Sequence, residues 1–190
     1  MDRRQRIANA GIALIARGGT HRLTHRAVDA EAGLPNGSTS YYARSRRDLI
    51  RLVMEQLSAE SQADLTDIEV PGKLTVRQAT DLVGRLAERL ILNGDAQAAR
   101  FALMFEVRDD DELRRELTVD APVRRSFDEK AVELLRALGV ADPEEKEPEF
   151  VALVDAVLMY RAVDAAPIDP AGVVETYLDG LVRRKPTAAL

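Results

Sequence analysis

Apolar residues recur three and four positions apart along most of this chain. Short clusters of Gly, Pro, Asn and Asp interrupt them, and that spacing predicts one helix after another. In the opening run Ile7, Gly11, Leu14 and Ile15 fall on one face, so a first helix is expected from Arg3 to Arg17, stopped by Gly18-Gly19. Thr24 is an N-cap for a second short helix through Ala32, and Pro35-Asn36 opens a third to about Ala43. Ser45 caps a fourth, running to about Leu65, before the loop I-E-V-P-G-K. Beyond that loop Thr75 caps a helix with Leu82, Leu86 and Leu90 on one stripe, and Asp95 caps another through Phe101, Met104 and Phe105. The D-D-D-E turn begins a short segment, and Ala121-Pro122 opens a helix to Leu138. Pro148 sits early in the most apolar helix, and Asp169-Pro170 starts the last, ending at Arg183-Arg184-Lys185, cations that suit a helix C-terminus.

No segment alternates with a strand's period over useful length, so the fold class expected is all-α. The organisation expected is a three-helix head, residues 1–48, and a six-helix body, residues 49–190. The charged start before Ile7–Ala16 has the order of a leader peptide, but no small-residue cleavage box follows, and the run reads as an amphipathic helix. No apolar run approaches the roughly 20 residues that span a bilayer, so no membrane partner is expected and a cytoplasmic location is.

Composition adds two constraints. The chain is 46% hydrophobic, enough for a packed core, and contains no cysteine, which removes disulfides, thiolate metal sites and cysteine nucleophiles. Net charge is −5, an argument against a nucleic-acid partner until its distribution is seen. Through Arg51 ten arginines face four acids, a net +6; beyond it 17 bases face 28 acids, a net −11. A basic module that meets a polyanion is therefore joined to an acidic body with another task.

Enzymatic readings fail for want of residues. The only histidines are His21 and His25, neither beside a G-x-S-x-G elbow, and no Glu-x-x-His pair or phosphate-binding Gly loop is present. The acids Asp109 to Glu112 could bind a divalent cation, but read rather as a solvated turn and helix N-terminus. No catalytic residue, metal site or cofactor is expected.

The stretch G-L-P-N-G-S-T-S-Y-Y-A-R-S-R-R-D-L, Gly33 to Leu49, has the parts of a helix-turn-helix. Ala27, Val28 and Leu34 form a small apolar seam, and Gly33 stands where the chain bends. Gly37 permits close approach to DNA, Ser38, Thr39 and Ser40 offer short donors and acceptors, and Tyr41 and Tyr42 have reach. Asn36 has the geometry to pair with an adenine edge, while Arg26, Arg44, Arg46 and Arg47 lie where phosphates would pass. A competing reading places one tyrosine ring half in the core, and makes His25 a phosphate contact or a bystander. Arg3, Arg4 and Arg6 are either a solvated face or arms toward a minor groove.

The run T-H-R-A-V-D-A-E-A-G-L-P-N-G-S-T-S-Y-Y-A-R-S-R-R-D-L resembles the DNA-binding domain of TetR-family transcriptional regulators over about the first 50 residues. Thr24, Ala32-Gly33, Gly37, Tyr41, Tyr42, Ser45, Arg46 and Leu49 fit the family pattern in order and spacing; Thr39, Ser40 and Ala43 depart from it. The resemblance implies that Thr24 and Tyr42 hold phosphate, that Asn36, Gly37 and Tyr41 enter the major groove, and that Arg46 grips the backbone. It further implies a homodimer on a palindromic operator in double-stranded DNA, with C-terminal helices that bind a small-molecule effector.

For the dimer, Val151, Val154, Leu158, Tyr177 and Leu181 are the candidates, against the alternative that they are intramolecular core. For the pocket, Leu82, Leu86, Phe101, Met104, Phe105, Phe127 and Met159 could line a cavity, with Arg108, Tyr160 or Arg161 at its polar end. Ordinary core packing competes there too. The reading carried forward is a one-component transcriptional regulator acting as a repressor; the alternative is a helical scaffold that binds protein rather than specific DNA.

Overall fold

A computed structural model describes residues 1–165 and 167–183; Arg184 and Lys185 of the expected terminal cation cluster lie outside the described residues. Among the described residues the chain is all-α: α1 (Arg3–Gly18), a 3-10 turn (Thr20–Arg22), α2 (His25–Glu31), α3 (Ser38–Tyr42), α4 (Arg46–Thr66), α5 (Val76–Leu92), α6 (Gly94–Glu106), α7 (Asp111–Leu117), α8 (Pro122–Ala137), α9 (Pro143–Ala162) and α10 (Pro170–Arg183). Among the described residues the body holds seven helices against about six expected, the short segment that begins at the D-D-D-E turn being a helix of its own, α7. Asp110 caps it by accepting the Leu113 amide at 3.1 Å. None of the described helices is long and apolar enough to cross a membrane.

Local chemistry sets most boundaries. Asp2 and Gln5 form a reciprocal capping box at α1, Ser45 and Asp48 one at α4, and Thr75 and Gln78 one at α5. Two expectations shift. Asn93 rather than Asp95 occupies the cap of α6, and α9 begins earlier than expected, at Pro143, so that Pro148 falls in its second turn. Pro143 suits the first helical position, where the missing N–H has no partner to lose.

The chain divides into two compact units, each described by itself. The first joins Met1–Ala63 to Asn93–Arg124, so the head shares a core with α6 and α7. Ile7, Ile15, Leu23, Val28, Leu49 and Val53 pack with Leu103, Val107 and Leu113 there, and α1 lies along α6. Gly11 lets α1 approach α4 closely: a Cβ on it would stand 2.6 Å from Val53 Cγ2 and 3.2 Å from Leu23 Cδ1. Ala27 and Leu34 of the expected seam pack half-buried against this core, and Val28 is fully within it.

The second unit joins Asp64–Leu92 to the chain from Arg125 onward. On α5 the buried stripe is Ala79, Val83, Ala87 and Leu90; Leu82 and Leu86 flank it, half-buried. Small residues on that stripe bring α5 close to α9 and α10 around Leu135, Phe150, Val174 and Leu178. The Leu74 amide donates to the Ala137 carbonyl at 2.9 Å, tying the start of α5 to the end of α8.

Candidate nucleic-acid interface

The turn between α2 and α3 is made by two glycines with positive φ, Gly33 at 63° and Gly37 at 92°. A Cβ on Gly37 would meet nothing within 4 Å, so its requirement is backbone conformation and not space. Between them the Leu34 amide donates to the Asp29 carbonyl at 2.8 Å, and the Ser38 amide and hydroxyl donate to the Pro35 carbonyl at 3.1 and 2.6 Å. Ser38 therefore serves the turn.

Thr39, expected to face DNA, is 0% exposed. Its amide and its hydroxyl both donate to Asp29 Oδ1, at 2.7 and 2.6 Å, and the Gly37 amide donates to Asp29 Oδ2 at 2.6 Å. Asp29 is itself only 1% exposed. Burial pushes its carboxyl up, but the Thr39 hydroxyl, the two amides and nearby His25 outweigh burial and hold it below the usual carboxylate range. At the other end of α3, His25 Nε2 donates to the Ala43 carbonyl at 2.8 Å, and Ala43 is buried.

What α3 and its turn leave exposed is Arg26, Pro35, Asn36, Gly37, Ser40, Tyr41, Tyr42 and Arg44. Tyr41 is 84% exposed and Tyr42 37%, their rings edge to face at 5.2 Å. The tyrosine that leans on the protein is thus Tyr42, and Tyr41 projects. A shallow depression lined by His25, Arg26, Asp29, Asn36, Gly37 and Ser40 lies beside them. Thr24 is exposed, its hydroxyl accepting the Ala27 amide at 3.2 Å as the N-cap of α2.

The arginines at the start of α4 are engaged within the chain. Arg46 donates to the Leu23 carbonyl at 2.7 Å, the Thr20 carbonyl at 3.0 Å and Glu106 Oε1 at 2.8 Å. Arg47 pairs bidentately with Asp110, at 2.9 and 3.1 Å, and reaches Glu112 at 2.8 Å. Arg51 does the same with Glu116, at 2.7 and 2.8 Å, and shares Glu112 at 3.0 Å. These bonds depress the carboxyls: Arg47 and the Leu113 amide hold Asp110 at about 2, Arg46 and Thr20 lower Glu106, and Arg51 lowers Glu116. Asp110 and Glu112 lie at a helix N-terminus, as expected, but their pairing with Arg47 and Arg51, like that of Asp29 with Thr39, is set by the fold. Spacing carries no signal for either, because the partners lie on other helices.

The pocket candidates divide between the units. Phe101 is buried, Met104 half-buried, and Phe105 and Arg108 exposed in the first; Leu82, Leu86, Phe127 and Met159 are half-buried in the second. Of the dimer candidates, Leu158 and Leu181 are buried within the chain, while Val151, Val154 and Tyr177 pack half-buried on the second core, Tyr177 stacked on Phe150 at 6.1 Å. The large apolar residues left exposed on α9 and α10 are Tyr160, Val173 and Val182, with Val163 just past α9.

Residues 74–184 match the family model described as tetracyclin repressor-like, C-terminal domain. A TetR-family member from Streptomyces coelicolor A3 is similar over 95% of this chain and 98% of its own, at 24% identity and a TM-score of 0.68. A transcriptional regulator from Rhodococcus sp. Rha1 shares the fold at a TM-score of 0.78 and 14% identity, over 96% of this chain and 97% of its own. The multidrug binding protein EbrR, complexed with ethidium, is 26% identical, with a TM-score of 0.62 over 95% of this chain and 98% of its own. No curated protein matches the chain in sequence.

Proposed function

The chain belongs to the tetracyclin repressor-like, or TetR, family of transcriptional regulators, and from that premise we propose that it is a repressor. In this reading a homodimer binds a palindromic operator and is released by a small-molecule effector. The observation that carries the reading is the face of α3 and its turn. Asn36, Ser40 and Tyr41 stand exposed there, and among the described residues the side chains of Asn36 and Ser40 bond to no other group, within a segment, through Arg51, of net charge +6. Side chains held outward on a short helix, ringed by Arg26 and Arg44, suit base edges in a major groove with phosphates on either side.

Two such heads about 34–36 Å apart read two half-sites one DNA turn apart. The acidic body then acts on their spacing. An effector releases the operator only by binding the DNA-incompetent arrangement better than the competent one, and the difference in affinity sets the size of the response. The aromatic and Met residues of α6 favour a lipophilic or mixed-polarity molecule.

The test is binding to the DNA flanking the chain's own gene, and to duplexes selected from a random pool. A palindromic site bound with affinity that falls steeply with salt supports the reading. Absence of any selected site, with weak salt dependence, contradicts it and favours a helical scaffold.

A further inference from the structure

A five-residue helix cannot hold itself together, because nucleation outweighs the few hydrogen bonds it closes. The first amides of any helix also lack partners within it. Helix α3 meets both problems without a local cap: its N-cap is Gly37, which has no side chain to offer. The partners come from α2. Asp29 takes the Gly37 amide, the Thr39 amide and the Thr39 hydroxyl at 2.6 to 2.7 Å, and His25 takes the Ala43 carbonyl at 2.8 Å. His25 and Asp29 are four residues apart, so they share one face of α2. Both ends of α3 therefore hang from a single helical turn of its neighbour.

We propose that His25 and Asp29 form a two-point clamp that sets the orientation of α3 against α2, and so act as positioning residues for sequence readout. The clamp rests on the reading of α3 as the DNA-reading helix. Asp29 is buried and cannot touch DNA, and His25 has its Nε2 committed to Ala43. Of the residues they hold, Asn36, Ser40 and Tyr41 carry the outward donors. A base contact depends on direction and is lost when α3 rocks, whereas a phosphate contact from a long arginine tolerates the same movement. Loss of the clamp therefore falls on selectivity before it falls on affinity at large. Thr39 closes the device: its hydroxyl gives Asp29 a third donor, which an apolar residue at that position cannot do.

The experiment uses the full chain and Asp29→Asn, Thr39→Val, Thr39→Ser and His25→Phe. Amide hydrogen exchange is followed by NMR at Gly37 and Thr39, and binding is measured to a selected duplex and to an unrelated one of equal length. In Asp29→Asn, exchange at the two amides is expected to quicken by about tenfold or more, and selected-site affinity to drop by a similar factor. Affinity for the unrelated duplex and the salt slope stay as in the parent. Thr39→Val loses part of the discrimination, Thr39→Ser restores it, and His25→Phe loses discrimination from the other end. This hydroxyl series carries the test should Asp29→Asn fail to fold. Unchanged exchange at Gly37 and Thr39 in Asp29→Asn overturns the clamp whatever DNA does. Equal losses on both duplexes also overturn it, reducing Asp29 to a stabilising group. A parent chain that distinguishes no duplex from another defeats the DNA reading instead, and leaves the exchange measurement to decide the clamp.

Discussion

Asn36 stands exposed at the turn into α3 with its amide free of other groups among the described residues, which suits bidentate pairing to an adenine edge. Asn36→Ala is expected to lower operator affinity by about 1–3 kcal/mol while leaving unrelated DNA bound as before, read by fluorescence anisotropy on both. Two glycines give opposite lessons about a single methyl. Gly37→Ala adds a Cβ that meets nothing but forces an L-residue to φ 92°, at a cost of about 1 kcal/mol. Gly11→Ala is conformationally easy yet drives a methyl to 2.6 Å from Val53, an overpacking that costs about 1–3 kcal/mol. Denaturant unfolding should rank Gly11→Ala as the more damaging; equal stability of Gly11→Ala and the parent would mean that α1 and α4 are free to part.

At the scale of elements, the start of α4 is fastened to α6 and α7 by Arg46, Arg47 and Arg51. The resemblance implies that Arg46 grips phosphate, but its guanidinium already serves two carbonyls and Glu106. Arg46→Ala is therefore expected to lower the melting temperature and to leave the slope of log K against log salt nearly unchanged. Arg44→Ala, at an exposed arginine, should shallow that slope by about one. The reverse pattern would return Arg46 to the phosphates. The same network makes unit stability depend on acid. Asp110 is depressed to about 2 in the folded chain, so its contribution is complete above the ordinary value of about 4 and is lost as pH falls through about 2. Glu106 and Glu116 shift in the same direction. Melting temperature should fall across that window, and less steeply in Asp110→Asn; identical profiles would show that the pairs contribute nothing measurable.

For the molecule as a whole, the proposed function follows the charge division: the segment through Arg51, at +6, would meet a polyanion, and the remainder, at −11, would do something else. Reading a palindrome then requires two heads, so operator binding should involve two chains, and deleting one half-site should cost about a hundredfold or more in affinity. Sedimentation with labelled duplex checks the stoichiometry, and a single half-site bound as tightly as the pair would remove the dimer from the mechanism. In the proposed dimer, the surface that joins two chains would come from residues the fold leaves outside. Leu158 and Leu181 are already buried, whereas Tyr160, Val163, Val173 and Val182 remain exposed.

The helix order, the head with its turn and the division of charge were legible in the chain itself, because each is local. Apolar spacing, caps such as Thr24, Ser45 and Thr75, and the need for glycine at positive φ act within a few residues. The outward face of α3 was legible for the same reason at Asn36, Ser40 and Tyr41. Thr39 was not: whether its hydroxyl faces a groove or a buried carboxylate depends on Asp29, ten positions away on another helix. Nor were the acidic partners of Arg46, Arg47 and Arg51, which lie about sixty residues further on. Periodicity tells which residues leave the water, but the partner that meets each polar group is decided by which helices pack together. That is why the sequence determined the kind of molecule, and only the tertiary structure decided which distant group each polar residue meets, as Asp29 meets Thr39 and Arg47 meets Asp110.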